Sequence, residues 1–175
     1  MHIRVATHLD SEAVREVYLH AFSEAERQKV AVLAVDLLSE ETKPETISLV
    51  AEADSVVVGH VAFSPVTIDN NSWFGYILAP LGVRPDYQKR RIGSSLVEDG
   101  IAQLSKMDVD IVFVYGDPQY YGRFGFSADV ASMYFPPYEL QHPFGWQALS
   151  LRENVLSSEP VTISCVAPLR DSELW

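Results

Sequence analysis

Three consecutive segments constrain this chain most: a strand-like run from Trp73 to Val83, a helical stretch from Gln88 to about Lys106, and the short apolar run Ile111-Val112-Phe113-Val114-Tyr115. In the helical stretch Ile92, Leu96, Val97, Gly100 and Leu104 recur on one face. The run from Ile111 to Tyr115 is apolar throughout, as expected of a strand buried on both sides of a sheet. Strand, helix, strand is a βαβ unit with a right-handed crossover. Such units bind ligands beyond the carboxyl ends of their strands. Pro80 interrupts the first strand. Proline has no N–H to give to a ladder, so a bulge or a break in pairing is expected there, leaving backbone groups free for a ligand.

The junction between strand and helix reads Leu81-Gly82-Val83-Arg84-Pro85-Asp86-Tyr87-Gln88-Lys89-Arg90-Arg91-Ile92-Gly93-Ser94-Ser95-Leu96. It predicts a strand end, a Pro turn, and a helix whose first turn carries Lys89, Arg90 and Arg91. A helix N-terminus already holds unpaired N–H groups and roughly half a positive charge. Three cations there are mildly destabilising unless an anion sits among them, and a phosphate would use the N–H groups and the dipole together. Gly93 and the small Ser94 and Ser95 allow close approach. A Lys/Arg triplet also sits well on a solvated helix face, and charge alone does not separate the two readings.

The surrounding chain is acidic, with 13 Lys plus Arg against 24 Asp plus Glu and a formal net charge of -11. That disfavours non-specific nucleic-acid binding and suits amine-bearing partners. The 175 residues fit a single domain, and 47% hydrophobic residues argue against disorder. The single cysteine, Cys165, lies in a strand-like run and excludes an intrachain disulfide. An N-terminal strand without a signal-type apolar region, and no apolar run of membrane-span length, give a cytoplasmic expectation with no membrane partner.

Elsewhere, Ile3 to Ala6 reads as a first strand. Asp10 is placed to cap a helix burying Val14, Val17, Tyr18, Ala21 and Phe22, and a second helix buries Val30, Leu33, Ala34, Leu37 and Leu38. Ser39 to Glu45 is a loop. Two strands, Ile47 to Ala53 and Val56 to Phe63, flank a tight turn near Ala53-Asp54-Ser55. Asp69-Asn70-Asn71-Ser72 is a further turn. Asp117 caps a short helix with Pro118 in its first turn and Gly125 as its stop. Met133 to Val166 reads as two strands joined by a long loop around Pro136 to Trp146.

The motifs then add up. Gln88-Lys89-Arg90-Arg91-Ile92-Gly93 resembles the Gln/Arg-x-x-Gly-x-Gly/Ala segment of the GNAT superfamily of acetyl-coenzyme A-dependent N-acetyltransferases. Leu81-Gly82-Val83-Arg84-Pro85 resembles that family's Leu-x-Val-x-Pro strand end. Tyr121-Gly122-Arg123-Phe124-Gly125-Phe126 resembles its Tyr-x-x-x-Gly-Phe motif, and the longer string from Gly116 is similar to the YhbS-like branch. The order and spacing match from Ile3 to Cys165. The resemblance implies an α/β (α+β mixed) fold: a mixed, mostly antiparallel twisted sheet with a splayed parallel strand pair joined by the cofactor-binding helix, and helices on both faces. Arg91 stands where the family has glycine; at a helical φ an arginine costs little there.

The resemblance also implies roles. Acetyl-coenzyme A is the co-substrate and no metal takes part. Backbone groups of Leu81, Gly82 and Val83 pair with the pantetheine arm, and an N–H among them polarises the thioester carbonyl. Gln88, Lys89, Arg90, Arg91, Ile92, Gly93 and Ser94 hold the pyrophosphate, with Gln88 closing the loop. Tyr121 is the general acid for the leaving thiolate. The acceptor is a small-molecule or protein amine, and the chain is a monomer or homodimer. No general base stands out, since Trp73 to Val83 holds no carboxylate. His60 and His142 read as structural or solvent-exposed, and Ser64 and Pro65 lie where topology puts an acceptor. The aromatic loop from Tyr134 to Trp146 walls an acceptor pocket, packs on a second subunit, or caps the core. The alternative is a non-catalytic acyl-coenzyme A-binding module on the same fold. A nucleotide-binding domain of another kind needs a glycine-rich phosphate loop and a Lys-Ser/Thr pair that this chain lacks.

Overall fold

The computed structural model describes residues 1–69, 74–153 and 157–175. It forms two compact units, one of Met1–Phe63 and Ala79–Ala102, the other of Ser64–Leu78 and Gln103–Trp175. Asn70, Asn71 and Ser72 of the expected turn, and Trp73 at the start of the expected strand, lie outside the described residues.

The first unit holds β1 (His2–Val5), α1 (Ser11–Ala21), α2 (Arg27–Ser39), β2 (Ile47–Ala53) and the larger part of β3 (Val56–Ile68). It also holds the end of β4 (Gly75–Val83) and most of α3 (Ile92–Lys106). β1 pairs antiparallel with β2, and β2 with β3. The β2–β3 turn places Asp54 and Ser55 at φ 50 and 63, the left-handed pair that a two-residue hairpin demands. Val14, Val17 and Tyr18 of α1 bury against Ala31 and Ala34 of α2 and against Val50 and Val57 of the strands.

Asp10 does not cap α1 with its side chain, contrary to the sequence expectation. A 3-10 turn, His8–Asp10, precedes the helix. The carboxylate instead accepts two hydrogen bonds from Arg4 at 2.8 Å and one from the Thr7 N–H at 2.7 Å. A guanidinium fork is the stronger partner for a carboxylate. The Arg4 hydrogen bonds, outweighing burial and assisted by Thr7, hold the Asp10 carboxyl down at about 2.

His60 is fully buried on β3. Its Nδ1 lies 2.8 Å from the Tyr18 hydroxyl and its Nε2 2.7 Å from the Ser48 hydroxyl, so both ring nitrogens are engaged. Burial pushes its pKa down to about 3, and the ring is neutral at physiological pH. This is a structural histidine, as expected. Across the same strand the bare Cα of Gly59 faces α3: an added Cβ would lie 3.1 Å from both Ile92 and Leu96.

α3 begins at Ile92, four residues later than expected from Gln88. Pro85–Tyr87 forms a 3-10 turn instead, and Lys89 and Arg91 take φ 59 and 63. The three cations therefore stand in a turn ahead of the helix rather than in its first turn.

In the second unit the first four residues of β4 pair in parallel with β5 (Ile111–Tyr115), from Gly75↔Ile111 to Leu78↔Val114. α3 is the crossover between these two strands, as the βαβ pattern requires. β5 is flanked on its other edge by antiparallel β7 (Trp146–Ser150). The short α4 (Pro118–Tyr121) is capped by Asp117, whose side chain accepts from the Gln119 N–H at 2.9 Å. A 3-10 turn follows and stops at Gly125, at φ 91. α5 (Ala128–Ala131) comes next, capped by Ser127. Among its described residues the tail holds three strands rather than the expected two: β6 (Tyr134–Phe135), β7, and β8 (Val161–Cys165). β6 lies parallel to β8, and β8 pairs antiparallel with Val66–Ile68 of β3. Two residues are too few for a period-2 signal, so β6 is invisible in the sequence. Phe113 stacks on Trp146 at 5.4 Å between centroids and meets Tyr134 edge-on at 5.2 Å. Cys165 is buried, chiefly for that reason pushed up to about 12, and inert. Among the described residues no helix is long and apolar enough to cross a membrane.

Two perturbed groups of the first unit, His60 and Asp10, act in the same direction with pH. His60 stays neutral when folded but accepts a proton in the unfolded chain below about 6.5, so stability falls as pH drops from there towards 3. Asp10 adds a further loss between about 4 and 2. Denaturant titrations should show the unfolding free energy falling by about 2 kcal/mol between pH 6.5 and 4.5. His60→Gln should flatten that interval. A wild-type curve already flat there contradicts the account.

Candidate active site

The cradle expected to hold phosphate is built where β4 runs into α3, inside the first unit. Arg84 donates its N–H to the Val58 carbonyl at 2.9 Å, which fastens the strand end to β3. On the other edge of β4, the registered pairs with β5 end at Leu78, so Ala79–Val83 have no registered partner there among the described residues. The break expected at Pro80 thus takes the form of a lost ladder, while β4 itself continues to Val83. Leu81 and Val83 therefore lie on a strand edge with open backbone. Gly82 is glycine for a packing reason: a Cβ there would sit 2.7 Å from the Tyr18 ring.

Gln88 links the turn back to this edge. Its side-chain amide donates to the Val83 carbonyl at 3.0 Å. That carbonyl keeps a second lone pair, so a strand-like partner can still donate to it while the exposed Gln88 amide is in place.

Lys89 and Arg91, both left-handed, flank Arg90. Turns of this kind direct successive amide N–H groups to one side and form an anion-binding concavity. The first helical bond of α3 runs from the Ser95 N–H to the Arg91 carbonyl at 2.9 Å. The N–H groups of Ile92, Gly93 and Ser94 precede it and have no intrahelical acceptor. Ile92 contributes only its N–H, since its side chain is 4% exposed and packed over Gly59. The side chains of Lys89, Arg90 and Arg91 are exposed. Arg91 meets Glu98 at 3.4 Å, an exposed pair of little energetic weight. Arg90 lies over the Tyr87 ring at 5.2 Å, and Lys89 makes no ion pair among the described residues. The cations are thus not neutralised by buried carboxylates of their own chain.

The left-handed φ corrects the expectation for Arg91. An arginine there is not at a helical φ and carries backbone strain of about 1 kcal/mol, which explains why glycine suits the position.

Tyr121 belongs to the second unit. It ends α4, and its ring lies against the bare Cα of Gly116, where a Cβ would approach to 2.5 Å. Tyr120 and Phe126 hold it edge-on at 5.0 and 5.9 Å. Its hydroxyl has no hydrogen-bond partner among the described residues, so it is not tied to the backbone. Burial first, then Tyr120 and Asp117, push its pKa above the ordinary phenol range. It is a neutral donor at any physiological pH. Arg123 donates to the Tyr120 carbonyl and lies over the Tyr120 ring at 4.5 Å, which gives it a local structural role. Ser64 is fully buried and its Oγ has no partner among the described residues. No group of His, Cys, Asp and Glu among the described residues is arranged to hold a metal ion. Sequence reasoning missed the parts played by Tyr87, Glu98 and Gly116; the first two need a fold to bring them to the turn, and Gly116 was legible only as the start of the family-like string.

Arg91→Gly should raise the unfolding free energy by about 0.5–1 kcal/mol, because relief of the left-handed strain exceeds the loss of an exposed ion pair. Denaturant unfolding beside Glu98→Gln, expected to change stability by less than about 0.5 kcal/mol, separates the two contributions. A destabilised Arg91→Gly contradicts the strain.

Residues 2–128 match the family described as acetyltransferase (GNAT) domain. YjhQ of Escherichia coli strain K12, named an uncharacterized N-acetyltransferase, is 34% identical over 160 residues, covering 89% of this chain and 84% of that protein. YhbS of the same strain, similarly named, is 35% identical over 130 residues, covering 72% and 73%. The crystal structure of Escherichia coli YhbS in complex with coenzyme A superposes with a TM-score of 0.80 at 26% identity, covering 97% of this chain and 92% of that one. A GNAT acetyltransferase from Brucella melitensis in complex with acetyl-coenzyme A gives a TM-score of 0.75 at 30% identity, covering 95% and 96%. With motif, fold and relatives in agreement, this chain belongs to the GNAT acetyltransferase family.

Proposed function

We propose that this chain transfers an acetyl group from acetyl-coenzyme A to a primary amine by direct attack on the thioester, with residues 1–175 acting as one acetyltransferase domain. The observation that carries the reading is the left-handed turn at Lys89 and Arg91 set before three helical N–H groups without intrahelical acceptors. Relatives crystallised with coenzyme A and acetyl-coenzyme A support the same cofactor here.

The N–H groups of Ile92, Gly93 and Ser94 take the pyrophosphate, where a helix N-terminus favours negative charge. Lys89, Arg90 and Arg91 add positive charge from the solvent side, and Gln88 anchors the turn. The open edge of Leu81, Gly82 and Val83 receives the pantetheine arm as an added strand, with an N–H there polarising the thioester carbonyl. Such a donor is worth roughly 3 kcal/mol in the transition state.

The amine nitrogen bonds to the carbonyl carbon, the carbon–sulfur bond breaks, and the proton lost by the amine passes to water. Tyr121 donates its hydroxyl to the departing sulfur. A thiolate whose thiol titrates at about 8.5 is a weaker base than a phenolate whose phenol titrates at or above about 10, so Tyr121 stabilises the departing thiolate as a hydrogen-bond donor, and solvent, which took the amine's proton, supplies the one the sulfur gains. The acidic chain suits an amine acceptor, small molecule or protein, over a nucleic acid.

Thiol release from acetyl-coenzyme A against a panel of amines, alongside calorimetry with coenzyme A, tests the reading. Coenzyme A should bind at or below about 1 mM, a modest affinity for so many contacts. Binding without turnover on a broad panel would favour the non-catalytic alternative. Tyr121→Phe should lower kcat more than about tenfold with little change in cofactor affinity. Gly116→Ala should also lower kcat, because its methyl displaces the Tyr121 ring. From pH 7 to 9.5 the wild-type and Tyr121→Phe profiles should share one shape, since the raised phenol does not ionise in that window. An unchanged kcat in Tyr121→Phe removes it from the mechanism.

A further inference from the structure

The second unit carries an open groove of about 670 Å³ between α5, β6 and the loop that follows β6. None of its residues belongs to the cradle, and Tyr121 is not among them. The groove lies in the size range of small-molecule sites. Buried Tyr134 and Trp146 line it, joined by half-exposed Phe135 and by Tyr138. Pro136, Pro137 and Pro143 stiffen its walls, because proline fixes φ and loses little freedom on binding.

Its charge is one-sided. Glu139 is the one charged residue of the lining, and no Lys, Arg or His is among the lining residues. The Glu139 carboxylate is exposed and makes no ion pair among the described residues. Aromatic faces attract cations. Protein cations lie over Tyr87, Tyr120 and Phe124, none of which lines the groove. The rings of Phe135, Tyr138 and Trp146 have no such partner among the described residues. A surface with aromatic faces, stiff apolar walls and a single carboxylate is complementary to a molecule with a ring-sized apolar body and one positive charge.

We propose that this groove binds a small organic ammonium ion with an aromatic or compact aliphatic body. The body lies against Phe135, Tyr138 and Trp146, and the ammonium group reaches Glu139. Binding here does not depend on the transferase reading, and the site holds such a molecule whether or not it is acetylated.

Phenethylamine and its neutral counterpart phenethyl alcohol differ in the charge alone that the groove is built to read. Both are titrated into the full chain without acetyl-coenzyme A, by calorimetry and by the indole N–H resonance of Trp146 in nitrogen-15 spectra. The amine should bind with a dissociation constant near or below about 1 mM, at least about tenfold tighter than the alcohol, and should shift the Trp146 resonance. Glu139→Gln should reduce the preference to less than about threefold, and Phe135→Ala should weaken both ligands together. Both positions are exposed, so neither substitution threatens folding. Equal binding of amine and alcohol, a preference unchanged in Glu139→Gln, or no binding at about 10 mM overturns the proposal. So does a self-associating chain whose dimer interface excludes the amine. An inactive transferase that still binds phenethylamine leaves the groove standing; an active one that fails these tests does not.

Discussion

The contact between α3 and the bare Cα of Gly59 governs the functional end of the first unit. Ile92 and Leu96 lie where a side chain at position 59 would have to go. Both are buried, so the first turn of α3 cannot slide or wind back without opening the core. The chain arriving from β4 must therefore complete its reversal between Pro85 and Arg91. It does so with a 3-10 turn and two left-handed residues. A turn of that kind aims amides outward, and the helix that follows exposes three more. Polar N–H groups collect at one point because apolar packing fixes where the helix starts.

Glycines carry a related logic elsewhere. Gly82 makes room for the Tyr18 ring, whose hydroxyl in turn meets buried His60. Gly116 makes room for Tyr121. In each case a missing methyl sets an aromatic ring in place. The two rings then differ in what their hydroxyls do: that of Tyr18 is locked to a neutral histidine and its carbonyl, whereas that of Tyr121 is uncommitted among the described residues. A structural tyrosine and a candidate proton donor are separated by this difference rather than by burial.

Much of the fold was legible because its periodicities are clean. β2 from Ile47 to Ala53 follows the expected boundaries, as does the Asp117-to-Gly125 segment, where cap, first-turn proline and left-handed stop are all local signals. The tail was less legible. Tyr134–Phe135 is too short to show alternation, and α5 spans four residues. Asp10 misled for another reason: its local pattern is that of a cap, but Arg4 offers a bidentate partner that a local reading does not weigh. Arg91 misled likewise, since residue type alone does not reveal φ.

Sequence alone determined the order of elements from β1 to α4, the family, and which residue types stand in the turn before α3, because these follow from motif spacing and short-range preference. Tertiary structure alone decided that α3 begins at Ile92, that Arg91 is left-handed, and that Gln88 is fastened to Val83. It also decided that the aromatic tail folds into a groove with one carboxylate. Apart from the Gln88–Val83 hydrogen bond, which spans five residues, each of these depends on contacts between residues far apart in the chain, and excluded volume in a packed core, not local propensity, selects among the conformations the sequence permits.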